Sequence, residues 1–349
     1  MNKEKGNNMQ TIIYYSFPVS GHINPVFMTI KKLVDQDIKV ICYSTEQFRK
    51  QIEAMGATFA DYNKEKEYIN LNMNLAPDQM TLLSLSRLLI GFLEERFESL
   101  LIEAINIKPD GIGLDFFAIW GKMIASSIRI KSFTTIPQFA VNQKRMKPFP
   151  GMAKNIIQIL LYGMPEIHRF NLLIKKYDKD YHIGNYKFFD LFVNHTSLNV
   201  VYVNKEIQPD IEDFDQTFIF VGPSIRINCD EKFEKIHFPE KYNGKLIYIS
   251  LGTLYNKNLD FYKKCLKIFT NTSYRVIMSI GNSISLSALG SIPDNIIVKN
   301  HVSQINVLKQ ADVFISHGGM NSVNEALYFG VKLILMPQAV DQYATAKPG

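Results

Sequence analysis

Residues 316–325, Ser-His-Gly-Gly-Met-Asn-Ser-Val-Asn-Glu, constrain this chain more than any other stretch. They follow an apolar run, Val313-Phe314-Ile315, and open a segment with helical spacing, so the pattern predicts a strand, a glycine turn and a helix. The glycines at 318 and 319 let a ligand approach the backbone closely. The first-turn amides and the Ser322 hydroxyl point toward whatever anion sits at the positive end of the helix, and phosphate is the natural guest. Glu325 lies four residues after Asn321 and three after Ser322, so its carboxylate shares their helix face and is placed to take a diol beside the phosphate. Phosphate plus ribose points to a nucleotide.

The rest of the chain repeats that unit. An apolar strand over 11–17 leads to a turn over 18–24, with Pro25 expected at the first helical position of a helix over 26–33. His22 is therefore expected at the carboxyl end of a strand, the edge at which open α/β sheets collect ligands. A strand over 38–44, a helix over 46–55 ending at Gly56 and a short strand over 58–62 follow, then a helix over 80–105 with apolar residues at helical spacing. The strand over 111–114 runs into Asp115, a second strand end, before a helix near Ala118. After a strand over 132–136, residues 137–191 read as a looser helical insertion, and strands resume over 199–204 and 218–221. Apolar density falls and charge rises over 223–243, which reads as a linker between a domain of residues 1–222 and one of residues 244–349. The second series carries strands over 246–250, 275–280, 295–299 and 333–336, with helices over 259–269 and 304–310.

At 349 residues the chain has room for two domains, and 46% hydrophobic with 21% charged residues describes a globular protein rather than a disordered one. Cys42, Cys229 and Cys265 are scattered and odd in number, against a disulfide framework or a zinc ribbon. The polar N-terminus has no signal-peptide core, and no apolar run is long enough to span a bilayer, so a cytoplasmic protein is expected. The 39 Lys and Arg against 33 Asp and Glu give a formal charge of +6. They are dispersed without a zinc-finger or RNA-recognition signature, so nucleic acid is not expected as a partner. Lys144, Arg145 and Lys147, with Arg169, Lys175 and Lys176 beyond an apolar stretch, would suit a membrane surface. A helical segment beside a binding cleft accounts for them better.

These residues, in this order, resemble the UDP-dependent glycosyltransferases of the GT-B fold, most closely the bacterial macrolide and flavonoid glucosyltransferases of family GT1. The N-terminal half carries the resemblance in Phe17-Pro18-Val19-Ser20-Gly21-His22-Ile23-Asn24-Pro25 and Leu114-Asp115-Phe116. The C-terminal half carries it in Phe220-Val221-Gly222-Pro223-Ser224, Ser250-Leu251-Gly252-Thr253, His317-Gly318-Gly319-Met320-Asn321-Ser322, Glu325, Pro337-Gln338 and Asp341-Gln342. The resemblance implies an α/β protein of two Rossmann-like domains facing across a cleft, an N-terminal one for the acceptor and a C-terminal one for the nucleotide sugar. It implies His22 as general base and Asp115 as the carboxylate that orients it, a pairing that suits an imidazole of ordinary pKa ~6.5. His317, Gly319, Asn321 and Ser322 would hold the diphosphate, Ser250 and Thr253 the phosphate and sugar side, Gln304 the uracil end, and Glu325 the ribose. Asp341 and Gln342 would bind hydroxyls of a hexose, suggesting glucose. The acceptor would be a small apolar hydroxyl compound such as a macrolide, a flavonoid or another phenol, with no metal and no cofactor beyond the UDP-sugar co-substrate.

Two departures from the family are visible. His301 stands where relatives stack an aromatic residue or Arg on the base, and Ser303 replaces a turn-fixing Pro, so weaker UDP binding is expected. Relatives also continue past Asp341-Gln342 with further helices, the last of which crosses back onto the N-terminal domain, so the C-terminal domain is expected to be truncated. An impaired nucleotide-sugar-binding remnant and a lipid glycosyltransferase are the alternatives.

Overall fold

The computed structural model describes residues 9–63, 81–142, 157–159, 161–226, 237–252, 256–338 and 340–346. Tertiary contacts divide the chain into two compact units that change over between Ser224 and Ile225. Of the segment read as a linker, 223–243, residues 227–236 lie outside the described residues.

The first unit runs β1 (Thr11–Tyr15), α1 (Ser20–Val34), β2 (Lys39–Ser44), α2 (Arg49–Ala54), β3 (Thr58–Asp61), α3 (Leu82–Ile107), β4 (Gly111–Asp115), α4 (Ile119–Ser127), β5 (Ser132–Ile136), α5 (Met164–Tyr181), β6 (Asn199–Val201) and β7 (Phe218–Phe220). Its seven strands are parallel in the order β3-β2-β1-β4-β5-β6-β7. Successive strand residues point to opposite faces, and both faces are covered: Tyr14 packs with Val26, Phe27 and Ile52, Tyr15 with Tyr43, Trp120 and Phe97. That double burial is why these strands read as continuous apolar runs rather than alternating ones.

The second unit runs β8 (Leu246–Ser250), α6 (Leu259–Phe269), β9 (Arg275–Ser279), β10 (Ile296–Lys299), α7 (Gln304–Leu308), β11 (Val313–Ser316), α8 (Met320–Tyr328), β12 (Lys332–Leu335) and α9 (Val340–Thr345). Five parallel strands lie in the order β10-β9-β8-β11-β12. Tyr248 stacks on Phe314 on one face, while Ile247 and Ile249 pack with Tyr262 and Cys265 on the other. In each sheet the order reverses beside the first strand, between β1 and β4 and between β8 and β11. Such switch points open a crevice at the carboxyl ends of the strands.

One expectation needs correction, and two others gain detail. Helix α1 starts at Ser20, not at Pro25, which lies inside it. A proline in the second turn forfeits only its own amide to Gly21, and the burial of Ile23, Val26, Phe27 and Ile30 outweighs that loss. The insertion over 137–191 contains an eighteen-residue helix, α5, whose buried Phe170, Leu173, Ile174 and Tyr177 have the spacing of one helical face.

The described part of the basic cluster lies on that helix. Arg169 and Lys176 are paired across to α3, with Glu94 (2.6 Å from Arg169 Nε) and Glu98 (2.8 Å), while Arg87 reaches back to Glu166 at 2.6 Å. Arg169 and Lys176 thus brace α5 against α3. Lys144, Arg145 and Lys147 lie outside the described residues. Among the described residues no helix is long and apolar enough to cross a membrane.

Candidate active site

At the first switch point the chain leaves β1, turns through Phe17 to Val19 and enters α1, whose first turn carries His22; its amide donates to Val19 O at 2.9 Å. β4 pairs directly with β1 and delivers Asp115 at its last position. The two side chains meet, with His22 Nδ1 3.1 and 3.0 Å from the two oxygens of Asp115. A carboxylate accepts hydrogen bonds, so this contact places the ring proton on Nδ1 and leaves Nε2 as the unprotonated nitrogen of a neutral imidazole. Asp115 is 1% exposed and His22 15%. The Phe117 amide donates to Asp115 Oδ1 at 2.9 Å, so the buried carboxylate is satisfied from both sides. Asp115 is not the N-cap of α4; that position is Ala118, which has no side-chain cap.

At the second switch point Ser250 and Ser316 end β8 and β11 in register with each other. Each hydroxyl accepts from the amide two residues on, Gly252 N at 3.3 Å and Gly318 N at 3.2 Å, and so folds the chain into a turn. Those turns put Gly252 and Gly318 at φ +79° and +84°, a region open to glycine. The His317 ring is slotted between two glycines. A Cβ on Gly252 would lie 2.6 Å from the imidazole, and one on Gly319 closer still. Burial lowers the His317 pKa to about 4, and the Ser250 backbone only partly offsets this. Its Nδ1 is buried without a well-formed hydrogen bond. At neutral pH this ring is therefore an uncharged group at the mouth of α8, whose N-cap, Gly319, contributes no side-chain acceptor.

One turn further along α8, Glu325 accepts from Gln304 Nε2 at 2.6 Å, and the same amide reaches Ser322 Oγ at 3.2 Å. The hydroxyl of fully buried Tyr248 donates to Gln304 Oε1 at 3.3 Å, which fixes which way the amide faces. Burial raises the Glu325 pKa, opposed by the Gln304 hydrogen bond and by Arg226. Gln304, Ser322 and Glu325 are thus one cluster. Gln342 is buried, accepts from Gln338 N at 2.7 Å, and its backbone carbonyl lies beside the Gly318 turn. His301 is exposed and Asn321 half-buried. Thr253 and the Asp341 side chain lie outside the described residues. Sequence reasoning missed Tyr248, hidden in an apolar strand, and Asn256, whose Nδ2 donates to Gly252 O at 3.0 Å and braces that turn.

Two parallel α/β units, each with polar residues gathered at its switch point, define a class of protein that takes its ligands at strand ends. Comparison with known proteins narrows this. Residues 260–348 match the glycosyltransferase family 28 C-terminal domain. The chain is 31% identical to NDP-glycosyltransferase YjiC of Bacillus licheniformis over 96% of its length and 82% of the relative's. It is 29% identical to an uncharacterised UDP-glucosyltransferase, YojK of Bacillus subtilis, over 97% and 82%. Its fold matches the solved structure of the kitacinnamycin glycosyltransferase with a TM-score of 0.81 at 25% identity, covering 97% of this chain and 83% of that one. The chain belongs to the GT1-like UDP-glycosyltransferases and has their GT-B architecture of two parallel-sheet α/β domains.

Proposed function

We propose that this glycosyltransferase moves a hexose, glucose by preference, from a UDP-sugar to a hydroxyl of a small apolar acceptor such as a macrolide, a flavonoid or another phenol, with inversion at the anomeric carbon. The His22–Asp115 pair carries the reading. Nε2 of His22 takes the acceptor proton while the acceptor oxygen bonds to the anomeric carbon. The bond from that carbon to the diphosphate oxygen breaks on the opposite face, and its electron pair leaves with UDP. Asp115 holds the imidazole in the required tautomer and balances the charge it gains. A single displacement of this kind inverts the centre.

The leaving group needs its charge caught, and an uncharged His317, the amides from Gly319 onward, Asn321 and Ser322 suit a diphosphate at the positive end of α8. Glu325 would take the ribose diol and Gln304 the base, with His301 stacked on the uracil. Ser250 and Thr253 would line the phosphate and sugar side, and Asp341 with Gln342 the sugar hydroxyls. The donor would belong to residues 244–349 and the acceptor to residues 1–222. The reaction as written uses no metal and no cofactor, and a cytoplasmic setting would supply the UDP-sugar. The naming of YojK as a UDP-glucosyltransferase supports the donor, and that of the kitacinnamycin glycosyltransferase supports a small-molecule acceptor.

The test is turnover of UDP-glucose with a phenolic acceptor, with the product's anomeric configuration read by NMR. His22→Ala is expected to lower kcat by on the order of 10³-fold. Full activity in that variant removes the base assignment, and a product of retained configuration removes the single displacement.

A further inference from the structure

Three aromatic rings surround His22, and nothing in the proton transfer described above uses them. The Phe116 ring centroid is 5.3 Å from that of His22 at an interplanar angle of 15°, and the Phe117 centroid is 5.1 Å away at 24°. Phe17 meets the imidazole edge-on at 5.2 Å and also meets Phe117 edge-on at 5.2 Å. Adjacent residues leaving a strand ordinarily send their side chains to opposite faces. Here Phe116 and Phe117 lie 4.2 Å apart and converge on one ring. The turn closed by Asp115 Oδ1 and the Phe117 amide produces that convergence. The carboxylate that orients the histidine therefore also places the rings beside it.

Two physical problems of a base at this position make such rings useful. The Asp115 carboxylate fixes where Nδ1 sits but leaves the imidazole able to pivot about that contact, which would swing Nε2 away from an acceptor. Moreover, His22 is on the first turn of α1, the positive end of a helix whose first turn holds no acidic residue, and that field works against a cation there. Aromatic faces answer both. Stacking restricts the pivot, and the negative face of a π system attracts a cation within about 6 Å.

We propose that Phe116 and Phe117, buttressed by Phe17, are positioning residues that hold the plane of the His22 imidazole with Nε2 presented to the acceptor and favour the positive charge it gains. The proposal rests on the reading of His22 as the base. Its test compares Phe117→Leu, Phe117→Tyr and His22→Ala in the full chain, by steady-state kinetics with UDP-glucose and a phenolic acceptor and by NMR of 15N-labelled imidazole. Phe117→Leu is expected to lower kcat about tenfold, with KM for donor and acceptor each within about twofold. The His22 ring protons should lose their upfield ring-current displacement, and 15N relaxation of the imidazole should report added ring motion, while Asp115 keeps the proton on Nδ1. Phe117→Tyr, which keeps the π face, should retain the kcat and the ring order of the parent.

A Phe117→Leu protein with unchanged kcat and unchanged imidazole ring order overturns the clamp. So does an equal loss in the Leu and Tyr variants accompanied by an equal fall in Tm, which marks plain packing. His22→Ala separates the two levels: activity in that variant defeats the base reading itself, whereas an inactive His22→Ala beside an unaffected Phe117→Leu defeats only the clamp. The NMR arm decides the proposal even for an acceptor that is not turned over.

Discussion

The switch points of the two sheets carry a histidine apiece, and the two imidazoles live in opposite surroundings. His22 at β1/β4 faces a buried carboxylate, lies among aromatic rings and is 15% exposed. His317 at β8/β11 faces no carboxylate among its hydrogen-bond partners, is wedged between glycines, and is held uncharged by burial. The first environment suits a group that must accept a proton and bear the charge. The second suits a group that must stay neutral while an anion settles beside it, since desolvation alone removes the proton without adding a negative neighbour. One topology thus supplies two surroundings for an imidazole, and the difference lies in the residue that the adjacent strand brings up: Asp115 from β4 in one case, Ser250 from β8 in the other.

The contrast can be broken at several points. Asp115→Asn should leave the ring in place but destroy its tautomer preference, lowering kcat by on the order of 10³-fold, while UDP affinity measured by calorimetry stays unchanged. If nucleotide binding falls in step, the two switch points do not divide the labour. Gly252→Ala strains a backbone at φ +79° and drives a methyl into the His317 ring, so the UDP dissociation constant should rise by roughly 10- to 100-fold, for a strain of about 1–3 kcal/mol. The His22 tautomer read by NMR should not respond.

The pH dependence of stability sharpens the comparison further. The His317 pKa of about 4 lies below the unfolded value, so the unfolded chain binds the proton first. The stabilisation is complete above pH ~6.5 and is lost as pH falls from there toward 4. Thermal melts of the parent and His317→Gln should coincide in their sensitivity at pH 7 to 8. Below pH 6 the parent should lose Tm faster, by on the order of 5 °C at pH 5. His195 in the first unit, also lowered to about 4 by burial and by Lys122, contributes the same trend to both proteins and cancels in the difference. The smallest effect is expected from Tyr248→Phe. Loss of its hydroxyl frees the Gln304 amide to flip, and UDP affinity should fall about threefold to tenfold, the worth of one neutral hydrogen bond.

Much of this was legible from the residues. The strands of both sheets were visible because double burial demands unbroken apolar runs, and β8 was read to the residue. The strand-end position of His22 and Asp115 followed from the same pattern. The start of α1 was hidden because a proline near a helix start reads as its first residue, and only the packing of Ile23 and Val26 reveals the earlier turn. The pairing of Arg169 and Lys176 with α3 was invisible because their partners lie some seventy-five residues away. Tyr248 gave no signal, since a tyrosine inside an apolar strand looks like core until its hydroxyl is seen to hold Gln304. Side-chain wiring between distant strands leaves no local trace.

Parallel pairing at the switch points also governs how the protein acquires activity. His22 and Asp115 are separated by 93 residues, and the β8–β11 edge joins positions 66 apart. No hairpin can nucleate either contact, so each waits for a long loop to close before any pairing energy is returned. β4 carries Asp115 into place and α4, directly behind it, carries Trp120, the chain's single tryptophan, into the core. Recovery of the buried Trp120 signal and closure of the His22–Asp115 contact are therefore expected in one late refolding phase, which stopped-flow fluorescence beside NMR of the His22 ring would check.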